Sequence, residues 1–244
     1  MPEGPSIIIL NEALLPFKGR RVTAASGYAK NVDPDMLKGN TLTGIKTWGK
    51  HLLLLFKGFT LRIHMGLFGS YKINKPLKRN AALHLRFGDE EVNFSIVKVE
   101  VIKGALSKVY DWSADVMNKK WDADKAIKKL KDKPKLMICD ALLDQKIFAG
   151  SGNIIKNEAL FRARIHPESL CVKIPDDKLK DLCKDVVQFS KEFLKYGKAH
   201  KLGERLKAYE REICPRNHTP FHKKDTGKTK RHSYYCDKCQ VLYD

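Results

Sequence analysis

The sequence predicts an α+β chain in three parts: a strand-rich first half, a helical second half and a small metal-binding unit at the C-terminus. Three observations predict it. Short apolar or alternating runs, each bounded by glycine or charge, follow one another through residues 41–102, as in a β-sandwich or barrel. Apolar residues then recur at helical spacing. The last stretch gathers three cysteines with His218, His222 and His232 among lysines.

Taken in order, Ser6 is placed to cap a helix over residues 7–15. Strands are expected over 41–48, 51–56, 60–64, 70–73, 82–87 and 92–102. Residues 112–133 turn polar and charged and read as a linker. Helices are expected over 123–131, 135–143, 153–162 and 176–196. The last is the clearest, with Leu179, Leu182, Cys183, Val186, Val187, Phe193 and Leu194 on one face. No internal repeat is visible.

The charge is far from balanced. Across 244 residues, 47 Lys+Arg face 28 Asp+Glu, a net of +19. Such a surplus calls for a polyanionic partner, nucleic acid before an acidic membrane surface. No run approaches the roughly 20 apolar residues that cross a bilayer. The stretch after Ser6 lacks a basic leader and is broken by Asn11 and Glu12, so no secretory signal is expected. Six cysteines then point to metal ligation in a reducing compartment, not to disulfides.

The start, Met1-Pro2-Glu3-Gly4-Pro5, sets two reactive groups side by side. Removal of Met1 would leave Pro2 as a secondary amine. An α-amino group titrates near pH ~8 against ~10.4 for lysine, so far more of it is free to attack carbon at neutral pH. Amines form Schiff bases with sugar aldehydes, and the iminium of a secondary amine keeps its positive charge without a proton. Glu3 is placed to move protons beside it. The bland alternative is a proline-rich entry to a helix.

Cys214-x3-His218 and Cys236-x2-Cys239, separated by seventeen residues, have the spacing of a tetrahedral zinc site made of two knuckles. The closing pair is the stronger half, because His222 and His232 also lie near the opening one. Arg216, Lys223, Lys224, Lys228, Lys230 and Arg231 lie between the knuckles, so a hairpin with a basic tip would read phosphates. A purely structural clip is the alternative. Upstream, Gly150-Ser151-Gly152-Asn153 opens a helix. Its glycines and free N–H groups suit an anion, and Asn153 can cap the helix or meet a phosphate. The stretch does not continue into G-K-[ST], which argues against a P-loop. Glu158, inside that helix, is expected to be buried beside a basic partner.

Together these segments resemble the Fpg/Nei family of DNA glycosylases. The resemblance rests on Pro2-Glu3, Trp48-Gly49-Lys50-His51-Leu52-Leu53-Leu54, His64-Met65-Gly66-Leu67-Phe68-Gly69, the stretch from Leu143-Asp144-Gln145 through Asn153 to Glu158, and the C-terminal finger. Gly-Asn-Ile-Ile-Lys-Asn-Glu-Ala-Leu-Phe is most similar to the animal and viral endonuclease VIII-like branches, and the Cys-x3-His…Cys-x2-Cys finger to the type-two member. The resemblance implies an N-terminal β-sandwich catalytic domain (1–115), a helix-two-turns-helix domain (116–210) and a zinc-finger β-hairpin (211–244), with DNA bound between domains. It implies a bifunctional glycosylase and AP lyase that removes oxidised bases, pyrimidines favoured, by base excision and β,δ-elimination. Pro2 is then the nucleophile toward a flipped nucleotide, Glu3 the proton carrier, and Lys50, Asn153 and Arg231 the phosphate contacts. His64 belongs to the DNA-binding set, and Leu67 to a wedge that fills the vacated space. One structural Zn2+ on Cys214, His218, Cys236 and Cys239 is implied. So are damaged DNA as partner, no membrane, a monomer, and the nucleus or another DNA-containing compartment.

One departure matters. The Arg-x-Phe wedge loop of some relatives has no counterpart; the chain there reads Val97-Lys98-Val99-Glu100-Val101-Ile102. A protein without it should hold the opposite strand poorly, and so favour single-stranded or bubble DNA. Two other readings stand beside the main one: a DNA-binding zinc-finger protein without chemistry, and an AP lyase that removes no base. Cys139, Cys171 and Cys183 read as buried apolar residues without a catalytic role.

Overall fold

Two antiparallel four-stranded sheets form the strand-rich half. One has the order β1 (Ala24–Ser26), β6 (Leu83–Phe87), β7 (Glu90–Ser95), β5 (Ser70–Ile73). The other runs β2 (Gly44–Trp48), β3 (His51–Phe56), β4 (Phe59–His64), β8 (Lys98–Lys103). The structure is a computed structural model that describes residues 2–75 and 80–244; Met1, on whose removal the nucleophile reading rests, lies outside the described residues. The chain divides into two units, one of Met1–Pro2 with Ser6–Tyr110, the other of Glu3–Pro5 with Asp111–Asp244.

In the first unit the pleat explains the sequence. Leu83, Leu85 and Phe87 alternate inward along β6, while His84 and Arg86 face out. They meet Leu52 and Leu54 of β3, Leu61 and Ile63 of β4, and Val92 and Phe94 of β7 in one core. Helix α1 (Gly4–Leu14) adds Ile7, Leu10 and Leu14 to it. Each such side chain contributes roughly 1.5–3 kcal/mol on full burial. The sheets form a sandwich, not a barrel.

Two expectations here are corrected, and one strand is new. The helix begins at Gly4 with Pro5 in its first turn, so Ser6 lies inside it and does not cap it. The run 92–102 is two strands in different sheets, broken at Ile96, whose φ of 55° turns the chain. Strand β1 has no signal in the sequence, being three small residues held by pairing Ala25 with Leu85.

The second unit is helical. Its helices are α2 (Ala123–Lys131), α3 (Ile138–Ala141), α4 (Asn153–Ala163) and α5 (Asp176–Lys198), followed by an antiparallel ribbon of β9 (His222–Thr226) and β10 (Arg231–Tyr235). Leu179, Leu182, Cys183, Val186, Phe189 and Phe193 form the buried face of α5 against Ile155, Ala159 and Leu160 of α4. The expected linker is ordered from Trp112 onward and contains α2, whose Asp122 carboxylate accepts from Lys125 N at 3.0 Å. The helix expected over 135–143 shrinks to four residues. Met137 is extended, and its neighbours pair outward instead: Cys171 N donates to Leu136 O and Ile138 N to Ser169 O. Among the described residues no helix is long and apolar enough to cross a membrane.

Candidate active site

The start of α4 is where the chemistry-bearing residues of the second unit converge. Gly152 is its N-cap and offers no side chain, so the first N–H groups of the helix need another acceptor. Glu3 supplies it. Its buried carboxylate accepts from Ile154 N at 2.7 Å, Gly152 N at 3.0 Å and Ile155 N at 3.1 Å. An anion is favoured there by the dipole as well. The anion at this helix start is therefore the protein's own carboxylate. Gly4 N donates to Gly150 O at 2.8 Å, which pins the backbone next to Glu3.

Asn153 is the first helical residue, not the cap. Its amide donates to His232 O at 3.1 Å, and its Oδ1 has no hydrogen-bond partner among the described residues. Asn157, one turn on, donates to the same carbonyl and accepts from Tyr234 N at 2.7 Å. Between them Lys156 is buried, with its ammonium 3.1 Å from His232 O and 3.0 Å from Ser233 Oγ. Asp140 of α3 takes the other end of the ribbon, accepting from Lys228 N, Thr229 N and Thr229 Oγ1 at 2.8–3.0 Å. Arg231 stands at the start of β10, half-buried.

In the first unit, Lys50 occupies the two-residue turn with Gly49 that joins β2 to β3. His51 and His64 are paired across β3 and β4, with ring centroids 5.4 Å apart, and Lys98 follows on β8. The His51 Nδ1 lies 3.2 Å from the Tyr110 hydroxyl. Burial, then the charges of His64, Arg62 and Lys98, push His51 down to about 4. Burial and Lys50 likewise lower His64. Both rings are thus neutral at pH 7, a hydrogen-bonding edge beside cations. Beyond His64 the chain makes a tight loop closed by Gly69 N on Met65 O at 2.9 Å. A Cβ at Gly69 would lie within 2.9 Å of Met65 Cα, so only glycine closes it. The loop displays Leu67 and Phe68, 48% and 73% exposed.

At the C-terminus Cys214, Cys236 and Cys239 bring their sulfurs within 4.8 Å of one another. The Cys214 and Cys239 Sγ atoms are 3.7 Å apart. Thiolates on a tetrahedral ion with bonds of ~2.3 Å stand about 3.8 Å apart, so the cluster has the dimensions of a metal site. Donors surround it: Asn217 Nδ2 lies 3.3 Å and Thr219 Oγ1 3.4 Å from Cys236 Sγ, and Arg216 3.8 Å from Cys239 Sγ. Such contacts suit sulfur that carries negative charge. His218 does not join the three within that radius. The rival histidines are engaged elsewhere, His222 with Asp237 at 2.9 Å and His232 with Asp225.

Glu158 is buried as expected, but its partner differs. Its carboxylate accepts from the backbone N–H groups of Lys207, Ala208 and Tyr209 at 2.8–3.0 Å. Cys139, Cys171 and Cys183 are buried, and burial pushes all three thiols up, the last two to about 12, which disfavours the reactive thiolate. His51, Phe68 and Lys156 lie in segments that carry the resemblance but had no role of their own, and Asp140 was not marked. A lysine or aspartate in a helical stretch reads as solvated, and only the ribbon packed against these two reverses that.

A strand sandwich followed by paired helices and a cysteine-bearing ribbon, with a carboxylate from the chain start on a helix N-terminus, defines a class. The formamidopyrimidine-DNA glycosylase N-terminal domain matches residues 1–102, and the H2TH domain of the same glycosylases matches residues 113–202. The chain belongs to this Fpg/Nei family. Within it, the similarity is to the endonuclease 8-like branch. Endonuclease 8-like 3 of Xenopus laevis is 32% identical over 221 residues, 85% of this chain and 36% of that protein. Endonuclease 8-like 2 of Bos taurus is 26% identical over 320 residues, 98% of this chain and 96% of that one. The chain spans 35–39% of the length of the endonuclease 8-like 3 relatives. Among solved structures, Lactococcus lactis formamidopyrimidine DNA glycosylase bound to DNA with an AP site has a TM-score of 0.87 at 23% identity, covering 98% of this chain and 99% of that one. MutM in complex with carbocyclic 8-oxo-G DNA has a TM-score of 0.88 at 23% identity, covering 98% and 100%. These likenesses give the fold.

Proposed function

We propose that this protein is a base-excision-repair DNA glycosylase with AP lyase activity, acting on oxidised bases through an amine at Pro2. The carrying observation is the seat of Glu3: a buried carboxylate on three backbone donors, one peptide bond from the nucleophile. Pro2 nitrogen attacks C1′ of the damaged nucleotide and the base departs with its bonding electrons; Glu3 accepts the proton left on the nitrogen and delivers it to O4′ as the C1′–O4′ bond breaks to give the iminium. The resulting iminium acidifies the C2′ hydrogens, so the 3′-phosphate leaves by β-elimination and the 5′-phosphate by δ-elimination. The reading requires Pro2 to be the first residue of the mature chain, which the mass of the N-terminal peptide checks.

The +19 charge supports a DNA partner, and family membership supports a DNA-containing compartment. Lys50, Asn153 and Arg231 are proposed phosphate contacts, His64 a further contact, and Leu67 a wedge. For Asn153 the contact requires its amide to release His232 O, because the N–H groups of that helix start are taken by Glu3. The domains proposed are 1–115, 116–210 and 211–244. One Zn2+ is proposed on Cys214, Cys236 and Cys239 with His218 as fourth ligand, a structural role that would fix the ribbon. Preference for single-stranded or bubble DNA and a monomeric state belong to the same proposal.

Borohydride trapping tests it. On a labelled oligonucleotide with one oxidised pyrimidine, reduction should yield a covalent protein–DNA adduct that Pro2→Gly, which keeps only a primary amine, weakens and that blocking the N-terminal amine abolishes. An adduct on an abasic site alone would reduce the reading to a lyase. No adduct on either substrate, with DNA still bound, would leave a binding protein without chemistry.

A further inference from the structure

Lys156 is a buried lysine with no acid at hydrogen-bond distance among the described residues. Its relative exposure is 0%, and its ammonium faces Arg231 O at 3.4 Å, His232 O at 3.1 Å and Ser233 Oγ at 3.0 Å. Three donors, from Asn153, Lys156 and Asn157, converge on the His232 carbonyl, more than its two lone pairs take in ideal geometry. Stability alone does not call for this. Removing a buried charge in favour of an apolar side chain of like volume is often neutral or stabilising. Without the ammonium, His232 O keeps the two asparagines, and Ser233 Oγ keeps Thr226 at 2.6 Å. Beside these two groups, the ammonium also reaches the backbone of Arg231, 3.4 Å from its carbonyl oxygen.

We propose that Lys156 is a positioning residue that presents Arg231 to the DNA backbone by tying residues 231–233 of β10 to helix α4. It rests on the reading of Arg231 as a phosphate contact. Asp140 fixes the ribbon at Lys228 and Thr229, so Lys156 sets the opposite end of the same short turn. The hold is sensitive to pH. Burial lowers Lys156 to about 8; Arg231 on β10 adds to this, while Cys139 and Asp140 on α3 and Glu3 before α1 oppose it. His232 and Asp225 pair with each other on the exposed side of the ribbon. Above pH 8 the neutral amine keeps two hydrogens but loses the charge that strengthens them.

Binding to an oligonucleotide with a tetrahydrofuran abasic analogue, measured by fluorescence anisotropy, tests this with wild type, Lys156→Met, Arg231→Ala and the double variant. Lys156→Met should melt no lower than wild type yet bind about 10-fold more weakly at pH 7, the scale of one charge-assisted contact. The double variant should bind no more weakly than Arg231→Ala. Raising the pH from 7 to 9 should weaken wild type towards Lys156→Met and leave Arg231→Ala little changed beside it. Should Lys156→Met not fold, the narrowing gap between wild type and Arg231→Ala across pH 8 remains the test. Additive losses, or a gap constant with pH, would overturn the proposal and leave Arg231 a contact. Arg231→Ala binding like wild type would overturn both, whereas loss of borohydride trapping in wild type touches only the chemistry.

Discussion

Glu3 and Gly152 share one space: a Cβ added to Gly152 would lie 2.5 Å from the carboxyl carbon of Glu3. The helix start and the carboxylate are thus fitted to each other. Any side chain at 152 must push Glu3 off the three N–H groups that hold it. If Glu3 is the proton carrier proposed above, Gly152→Ala is expected to cut the rate of adduct formation by about 10²-fold or more. Affinity for abasic-analogue DNA should change far less, since the proposed cationic contacts, Lys50 and Arg231, are not among the groups that hold Glu3. Single-turnover trapping beside anisotropy reads the two separately, and equal losses in both would argue that the helix start itself had collapsed.

The cysteine cluster makes a second prediction. Purified protein should carry about one zinc per chain by elemental analysis, and Cys239→Ser should lose it. Cys214 and Cys236 also form a small core with Phe161 and Ala208, on which Arg216 stacks 4.0 Å from the Phe161 ring. Metal loss should therefore loosen the ribbon and cost DNA affinity, while the sandwich, whose core is its own, stays folded. Hydrogen exchange after chelation would show protection lost in β9 and β10 and kept in β3 and β4. Uniform loss across the chain would refute the division.

Leu67 and Phe68 give a third. Both are exposed on a loop that glycine closes tightly. Substituting either by alanine should leave the melting temperature within about 1–2 °C, because little burial is lost. If the loop fills the space of a flipped nucleotide, binding to a duplex lesion should weaken by about 10-fold, and binding to single strands should not. Equal effects on both substrates would remove the wedge role.

How much of this was legible in the sequence depends on the range of the forces involved. The alternation of Leu83, Leu85 and Phe87 and the spacing along α5 are local, and both gave the right element. The Cys236-x2-Cys239 knuckle is local as well. The break at Ile96 was not legible, because nothing in a β-branched residue announces a positive φ. Nor was the seat of Glu3, which depends on backbone 149–152 residues away in the chain. Lys156 was hidden for the same reason: the groups that receive it lie 75–77 residues on.

The histidine pair at the end of the second sheet predicts an acid-sensitive sandwich. His51 is pushed down to about 4 from an ordinary 6.5, chiefly by burial. As pH falls through 6.5 the unfolded chain takes up a proton that the folded chain refuses until about 4, so folding loses free energy across that window. At pH 5.5 the loss from this one ring is about 1 kcal/mol, after discounting for its partial exposure. His64 is lowered in the same direction, and each ring, once charged, opposes the other. His51→Gln, which keeps a hydrogen-bonding group towards Tyr110, should therefore lose less stability than wild type between pH 7.5 and 5.5. Denaturant midpoints at the two pH values measure it, with imidazole proton resonances reporting the two pKa values directly. A His51 that titrates near 6.5 in the folded protein would show that the ring is solvated, and the cationic edge it shares with Lys50 and Lys98 would have to be redrawn.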